Sequence, residues 1–318
     1  MRAIAVGAFR ADPALVEIPK PEPEAGEVRV RIEYAALNPR DWQASRGTPD
    51  DGPAPCVFPL VVGVDFAGRV DMIGSGGNRF RVGDHVFGRI PAQETGAGTY
   101  CDYVSVPQDS AITHVPDGLP LRTAAALPSA GMAAAQILEI PVLHGHESLL
   151  VIGAAGGVGS CLTQLAAARD IHVIAAVRGD EHRRMADLGA TATIDTTDRP
   201  LETAVRESCP DGVDALVDLV STTPDAFAAR AALVRGGGIA LTTRGVAAGA
   251  ARPTHVTGID FRLEPTPVLL DVLAAGAAEG VLRVPIDIEL PLEKAPQALD
   301  RNRTGGARGK TVIALIAP

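Results

Sequence analysis

The residues of this 318-residue chain whose types and spacing carry the most chemistry form the run Leu149-Leu-Val-Ile-Gly153-Ala-Ala-Gly156-Gly157-Val-Gly159-Ser-Cys-Leu-Thr-Gln164. Four apolar residues read as a buried strand, the spaced glycines as a tight turn, and the residues after them as a helix. Gly153 suits the turn, Gly156 lets backbone N–H groups come close to a bound group, and Gly159 lets the helix pack against the strand. The N–H groups from Ala155 through Gly156, Gly157, Val158 and Gly159 then gather at a helix N-terminus. Their free donors and partial positive charge suit a pyrophosphate. The pattern predicts a dinucleotide site.

The following strand, Ile171–Val177, ends at Arg178-Gly179. A site for NAD places an acid there, to accept from the ribose hydroxyls. A guanidinium has only donors and matches a phosphate bidentately. NADP(H) is therefore the expected cofactor, with Arg178 on its 2′-phosphate. The competing reading makes Arg178 a solvated charge and gives the ribose to Asp180. His182, Arg183 and Arg184, on the next helix, fit a phosphate-assisting face and a solvated face equally well.

Residues 1–120 are β-rich in texture, with short apolar runs such as Arg2–Val6, Val28–Tyr34 and His85–Ile90 broken by turn clusters at 19–23 and 74–78. Many short strands at that spacing predict a small barrel or sandwich. From about residue 121 strands alternate with helices, the signature of βαβ units and a parallel sheet covered on both faces. Residues 285–318 return to strand-and-loop texture. The expected fold is α/β: a β-rich domain over 1–122, completed by 285–318, and a doubly wound Rossmann domain over 123–284.

Composition removes several other functions. The chain is 46% hydrophobic and carries a formal charge of −9 without a basic block, so nucleic acid and anionic membranes are poor partners. Only 3% of residues are aromatic, too few for base-stacking platforms. No apolar run approaches the roughly 20 residues that span a bilayer. Cys56, Cys101, Cys161 and Cys209 are scattered, with no paired spacing. Reduced thiols and a cytoplasmic location are expected.

Further motifs recur in order along the chain: Asn38-Pro-Arg-Asp41, Gly63-Val-Asp-Phe-Ala-Gly68, Gly83-Asp-His-Val-Phe-Gly88, Gly98-Thr-Tyr-Cys-Asp-Tyr103, Ala124-Ala-Ala-Leu-Pro128, Gly212-Val-Asp-Ala-Leu-Val-Asp218 and Arg308-Gly-Lys310. With the glycine turn, they resemble the medium-chain dehydrogenase/reductase superfamily in its zinc-free, quinone-oxidoreductase-like branch, over nearly the whole chain. The resemblance implies a GroES-like domain built from both ends of the chain around an inserted Rossmann domain, a homodimer, and hydride transfer from NADPH to quinones, enones or enoyl thioesters.

Zinc-dependent relatives carry a thiolate near the first motif and a His-Glu pair after Gly63; here those places hold Asn38-Pro39 and Val64-Asp65, and no metal is expected. The resemblance places Asn38 near the nicotinamide ribose and the substrate oxygen, its amide donating to that oxygen. It brings Ser129 toward the nicotinamide and Lys310 toward the cofactor phosphates. Asp41 reads as a cap for a short helix. The tyrosine that several quinone reductases carry just after the first motif is absent. Trp42 and Gln43 stand there as pocket residues, and water is left as the proton source. The expected activity is NADPH-dependent reduction of a small quinone or α,β-unsaturated carbonyl. An enoyl-thioester reductase and a non-catalytic NADPH sensor are the alternatives.

Overall fold

The computed structural model describes residues 1–46, 57–91, 96–251 and 253–316; Cys56 lies outside them. The first strands are β1 (Arg2–Val6), β2 (Ala14–Glu17) and β3 (Glu27–Ala36), followed by helix α1 (Pro39–Arg46). Next come β4 (Leu60–Val61), β5 (Asp65–Ile73), β6 (His85–Arg89), β7 (Tyr103–Pro107) and β8 (Ile112–His114), then helices α2 (Leu121–Ala126) and α3 (Pro128–Glu139). A regular alternation follows: β9 (Ser148–Ile152), α4 (Gly157–Ala167), β10 (His172–Val177), α5 (His182–Asp187), β11 (Ala192–Asp195), α6 (Leu201–Ser208), β12 (Val213–Asp218) and α7 (Pro224–Ala231). The chain ends with β13 (Val234–Thr242), β14 (Thr257–Asp260), α8 (Pro267–Ala278), β15 (Ile286–Pro291), α9 (Ala295–Arg303) and β16 (Lys310–Ala314).

Two compact units result. The first comprises residues 1–132 and 265–318, the second 133–264. In the first, seven strands make one sheet in the order β15-β16-β3-β5-β6-β8, with β7 also on β3, and β2-β1-β4 form a smaller sheet. β3 is the hub, because its ten residues pair antiparallel with β5, β7 and β16. The C-terminal residues thus complete a sheet begun at the N-terminus. Inward-facing Val28, Val30, Ile32, Phe66, Val86, Tyr100 and Ile313 build its core.

In the second unit six parallel strands run β11-β10-β9-β12-β13-β14. This is the doubly wound order that reverses between the first and fourth strands of the unit, here β9 and β12. The strand interiors are largely apolar, as a sheet covered on both faces requires, with Asp214 of β12 the exception among β9, β10 and β12. Leu150, Ile174, Val205, Leu216 and Phe227 fill one side.

The unit boundaries lie inside the span of 123–284 that helical texture suggested. α2 packs on β3, β5, β6 and β16, and α8 packs on β8, so both belong with the first unit. Ala124, Ala125, Ala126 and Leu127 are wholly buried there. An alanine-rich apolar helix announces burial but not which sheet it covers.

Phe66 follows the first residue of β5 and is fully buried. Phe66→Ala is expected to remove about 3–5 kcal/mol of stability from the first unit, measured as a shift of the urea unfolding midpoint.

Candidate active site

The glycine turn folds as its residues dictate. Gly153 takes φ +85°, a left-handed conformation closed to most side chains. A Cβ on Gly159 would lie 2.5 Å from the Gly153 carbonyl oxygen and 2.6 Å from Ala154 Cα, so α4 approaches the turn as closely as backbone allows. Gly156 caps α4 in an extended conformation without a side-chain cap. The N–H groups of Gly157, Val158 and Gly159 open the helix and have no intrahelical acceptor. A cradle of backbone donors with no side chain over it fits a pyrophosphate.

Arg178 stands exposed just beyond β10, and its guanidinium has no hydrogen-bond or ion-pair partner among the described residues. Gly179 follows at φ +89°, donating its N–H to Asp195 Oδ1 at 2.8 Å. Asp180 accepts from the His182 N–H at 3.3 Å. His182 and Arg183 are exposed, whereas Arg184 turns back to the glycine turn. Its Nη2 donates to the Ala155 carbonyl at 3.1 Å and its Nε to Glu181 at 2.7 Å. Of the three residues that sequence left equivalent, Arg184 is the one tied to the phosphate cradle.

In the first unit, groups from six stretches of the chain meet in a largely buried polar cluster. Lys310 Nζ, 3% exposed at the start of β16, donates to Asn38 Oδ1 at 2.7 Å and to the Leu37 carbonyl at 2.8 Å. Asn38 Nδ2 donates to Asp65 Oδ2 at 2.9 Å. An ammonium only donates and a carboxylate only accepts, so the two neighbours fix which way the amide points. Asp65 also accepts from the Ser129 hydroxyl at 2.6 Å and the Ser129 N–H at 3.2 Å. Ser129 Oγ in turn accepts from Arg89 Nε at 3.1 Å. The Asn38 N–H donates to Asp41 Oδ2 at 2.8 Å, one half of a capping box at the start of α1. Tyr100 donates its hydroxyl to the same Asp41 oxygen at 2.9 Å.

This geometry shows what the three expected residues touch within the protein. The Asn38 amide is 8% exposed, with its oxygen on Lys310 and its nitrogen on Asp65 and, at 3.4 Å, the Ala36 carbonyl. One amide N–H is thus spent on Asp65, and the other makes only the long contact with Ala36. Lys310 is buried against Asn38 and Asp65, 3.7 Å from the latter's carboxylate, because a lone buried carboxylate is too costly without a counter-charge. The Ser129 hydroxyl donates to Asp65 and accepts from Arg89. Trp42, expected as pocket wall, packs against the core of the first unit, and Gln43 beside it is half-buried.

Asp65, Tyr100 and Arg89 were not singled out by sequence. The available signal was a carboxylate inside the otherwise apolar Gly63–Gly68 run. Zinc chemistry does not fit the donor set. Val64 offers no ligand, and the amide at Asn38 faces an ammonium that would repel a divalent cation. Among the described residues no three His, Cys, Asp or Glu side chains gather as ligands.

Asp41 is the electrostatic outlier. It is 0% exposed, and its Oδ1 has no partner among the described residues. Burial pushes its pKa up to about 7; the Asp65 charge adds to this, while the Asn38 and Tyr100 hydrogen bonds and Lys310 pull the other way. The folded state therefore binds this proton more tightly than the unfolded chain does. The resulting stability is fully present below the ordinary carboxylate pKa and is lost as pH rises toward 7. Asp41→Asn should lose that slope, on the order of a few kcal/mol across the window. Urea midpoints for both proteins at pH 5 and pH 8 check this: the variant should gain on the parent at the higher pH.

Known proteins match both units. The family model described as alcohol dehydrogenase GroES-like domain matches residues 24–117, and the model described as zinc-binding dehydrogenase matches 188–313. A quinone oxidoreductase of Pseudomonas aeruginosa is 32% identical over 310 residues, 92% of each chain. The solved quinone oxidoreductase of Coxiella burnetii superposes with a TM-score of 0.89 at 26% identity, covering 99% of both chains. A mycobacterial protein solved in complex with NADPH gives 0.84 at 25% identity, covering 99% of this chain and all of the other.

Proposed function

The chain belongs to the medium-chain dehydrogenase/reductase superfamily, in its quinone-oxidoreductase-like branch, and from that premise we propose that it is an NADPH-dependent, zinc-independent reductase of a quinone or an α,β-unsaturated carbonyl. As an oxidoreductase of this family it uses a pyridine nucleotide. The observation that carries the finer reading is Arg178, an exposed, unpartnered guanidinium at the end of the strand after the glycine turn. A ribose 2′-phosphate supplies the bidentate acceptor that such a group matches, and a ribose hydroxyl does not.

NADPH would supply the hydride. Gly153–Gly159 would hold its pyrophosphate through backbone N–H groups, and Arg184 braces that turn through the Ala155 carbonyl. In the first unit, Asn38 serves as a positioning residue. Clamped between Lys310 and Asp65, it holds the start of α1 against β5 and β16. Asp41 and Tyr100 keep a proton within the cluster, but neither reaches open solvent, so water remains the source of the proton that completes the product. That no zinc ligand set gathers among the described residues supports the zinc-independent reading.

β14 is the outermost strand of the six-stranded sheet and pairs only with β13 among the described residues. An unpaired strand edge of this kind favours association with a second copy, which supports a homodimer. The scattered free cysteines support a cytoplasmic setting.

Two measurements test the reading. NADPH oxidation, followed at the nicotinamide absorbance, is expected with at least one member of a panel of quinones, enones and enoyl thioesters. Binding without any turnover would leave a sensor instead of an enzyme. Arg178→Ala should lower the NADPH-over-NADH preference in kcat/KM roughly ten- to hundredfold, as loss of a charged hydrogen-bonding pair does. An unchanged ratio would remove Arg178 from the 2′-phosphate.

A further inference from the structure

Arg89 ends β6 and lies half-buried, at the outer end of the polar cluster. Its Nε donates to Ser129 Oγ at 3.1 Å, and its Nη1 makes only a long 3.4 Å contact with the Ile90 carbonyl. Nη2 has no partner among the described residues. No carboxylate lies within ion-pair distance of the guanidinium there, although Asp65 acts on it through Ser129. A second cation, Arg40 in the first turn of α1, is near enough to repel it. Burial and that repulsion both disfavour the charge, and Asp65 only partly offsets them. A half-buried cation placed beside another cation, with donors left over, is costly unless an oxygen with negative charge completes it.

We propose that Arg89 binds the carbonyl oxygen of the substrate through its Nη2 edge and carries the negative charge that develops there, with Arg40 adding a second positive charge at the rim. This rests on the reductase reading and adds a charged donor to Asn38, whose amide is clamped between Lys310 and Asp65. When a hydride adds to the conjugated carbon, the C=C pair shifts to form the new double bond beside the carbonyl. The carbonyl π pair moves onto oxygen, giving an enolate, or a hydroquinone monoanion from a quinone. Arg89 holds that oxygen until a proton from water neutralises it. Arginine suits the task because it stays charged where a lysine or histidine would lose its proton on burial. Ser129, itself held by Asp65, fixes the guanidinium through Nε, so the Nη2 N–H groups are presented without reorganisation, the condition under which such donors contribute most.

The test uses an inert mimic of that anion, 4-nitrophenolate, and its uncharged counterpart, nitrobenzene, on the full chain at pH 8. The parent protein should bind 4-nitrophenolate and lower the apparent pKa of bound 4-nitrophenol, read from its absorbance. Arg89→Gln should weaken phenolate binding at least tenfold while changing nitrobenzene binding less than twofold. Arg89→Lys should retain part of the phenolate affinity, and Arg40→Gln should cost less than Arg89→Gln. No phenolate binding by the parent, unchanged binding in Arg89→Gln, or equal loss of both probes would each overturn the proposal. Because neither probe accepts hydride in this assay, the outcome is separate from NADPH oxidation. A chain that fails to oxidise NADPH but binds phenolate through Arg89 keeps this assignment and loses the reductase reading.

Discussion

The first unit depends on one buried ammonium. Lys310 sits 272 residues from Asn38 in sequence, yet its Nζ lies 2.7 Å from the Asn38 amide oxygen. A buried cation must have acceptors, and a buried carboxylate must have donors. Asp65, Asn38 and the Leu37 carbonyl can satisfy Lys310 only if β16 lies alongside β3. The same condition brings α1 and β5 to one place. Removing one member of such a set leaves an uncompensated charge, with a penalty typically about 3–5 kcal/mol. The chain's two ends are therefore held together by electrostatics as well as by the pairing of β16 with β3.

The cluster has a graded charge. At its centre Lys310 and Asp65 neutralise each other across Asn38. On one side Asp41 and Tyr100 form a pocket so dry that burial raises both pKa values. On the other side Ser129 passes the Asp65 charge outward to Arg89. Acid surplus is stored on the dry side, where a proton can neutralise it. At the outer end the Arg89 guanidinium has no carboxylate within ion-pair distance among the described residues. The same network that stabilises the fold thus leaves one donor edge unspent.

The second unit reaches its chemistry by a different route, with backbone in place of side chains. Gly153 and Gly159 let α4 begin within contact distance of β9, and the first-turn N–H groups are left for a ligand. Arg184 and Thr163 then secure the turn from behind, through the Ala155 and Gly159 carbonyls. Arg178, kept clear of those bonds, remains exposed.

Much of this was readable in one dimension. The strand over 2–6 and the alternation of strands and helices beyond residue 121 fall where apolar spacing puts them, and the glycine turn declares both its conformation and its ligand class. Local rules suffice there, because period, turn residues and a helix N-terminus are properties of neighbouring residues. The cofactor-side candidates were legible for that reason. Asn38, Lys310 and Ser129 were found as positions, but the protein groups that hold them were not. A hydrogen bond across 272 residues depends on which strands pair, and an amide's free valence depends on what else has reached it. Arg89 follows directly after the Gly83–Gly88 motif and was passed over, since nothing about an arginine at a strand end distinguishes a solvated charge from a confined one. Residue type and spacing determined the fold class, the family and the nucleotide cradle. Only the tertiary structure decided which polar groups are already spent on one another and which remain for a substrate, because burial and partner count arise where distant segments meet.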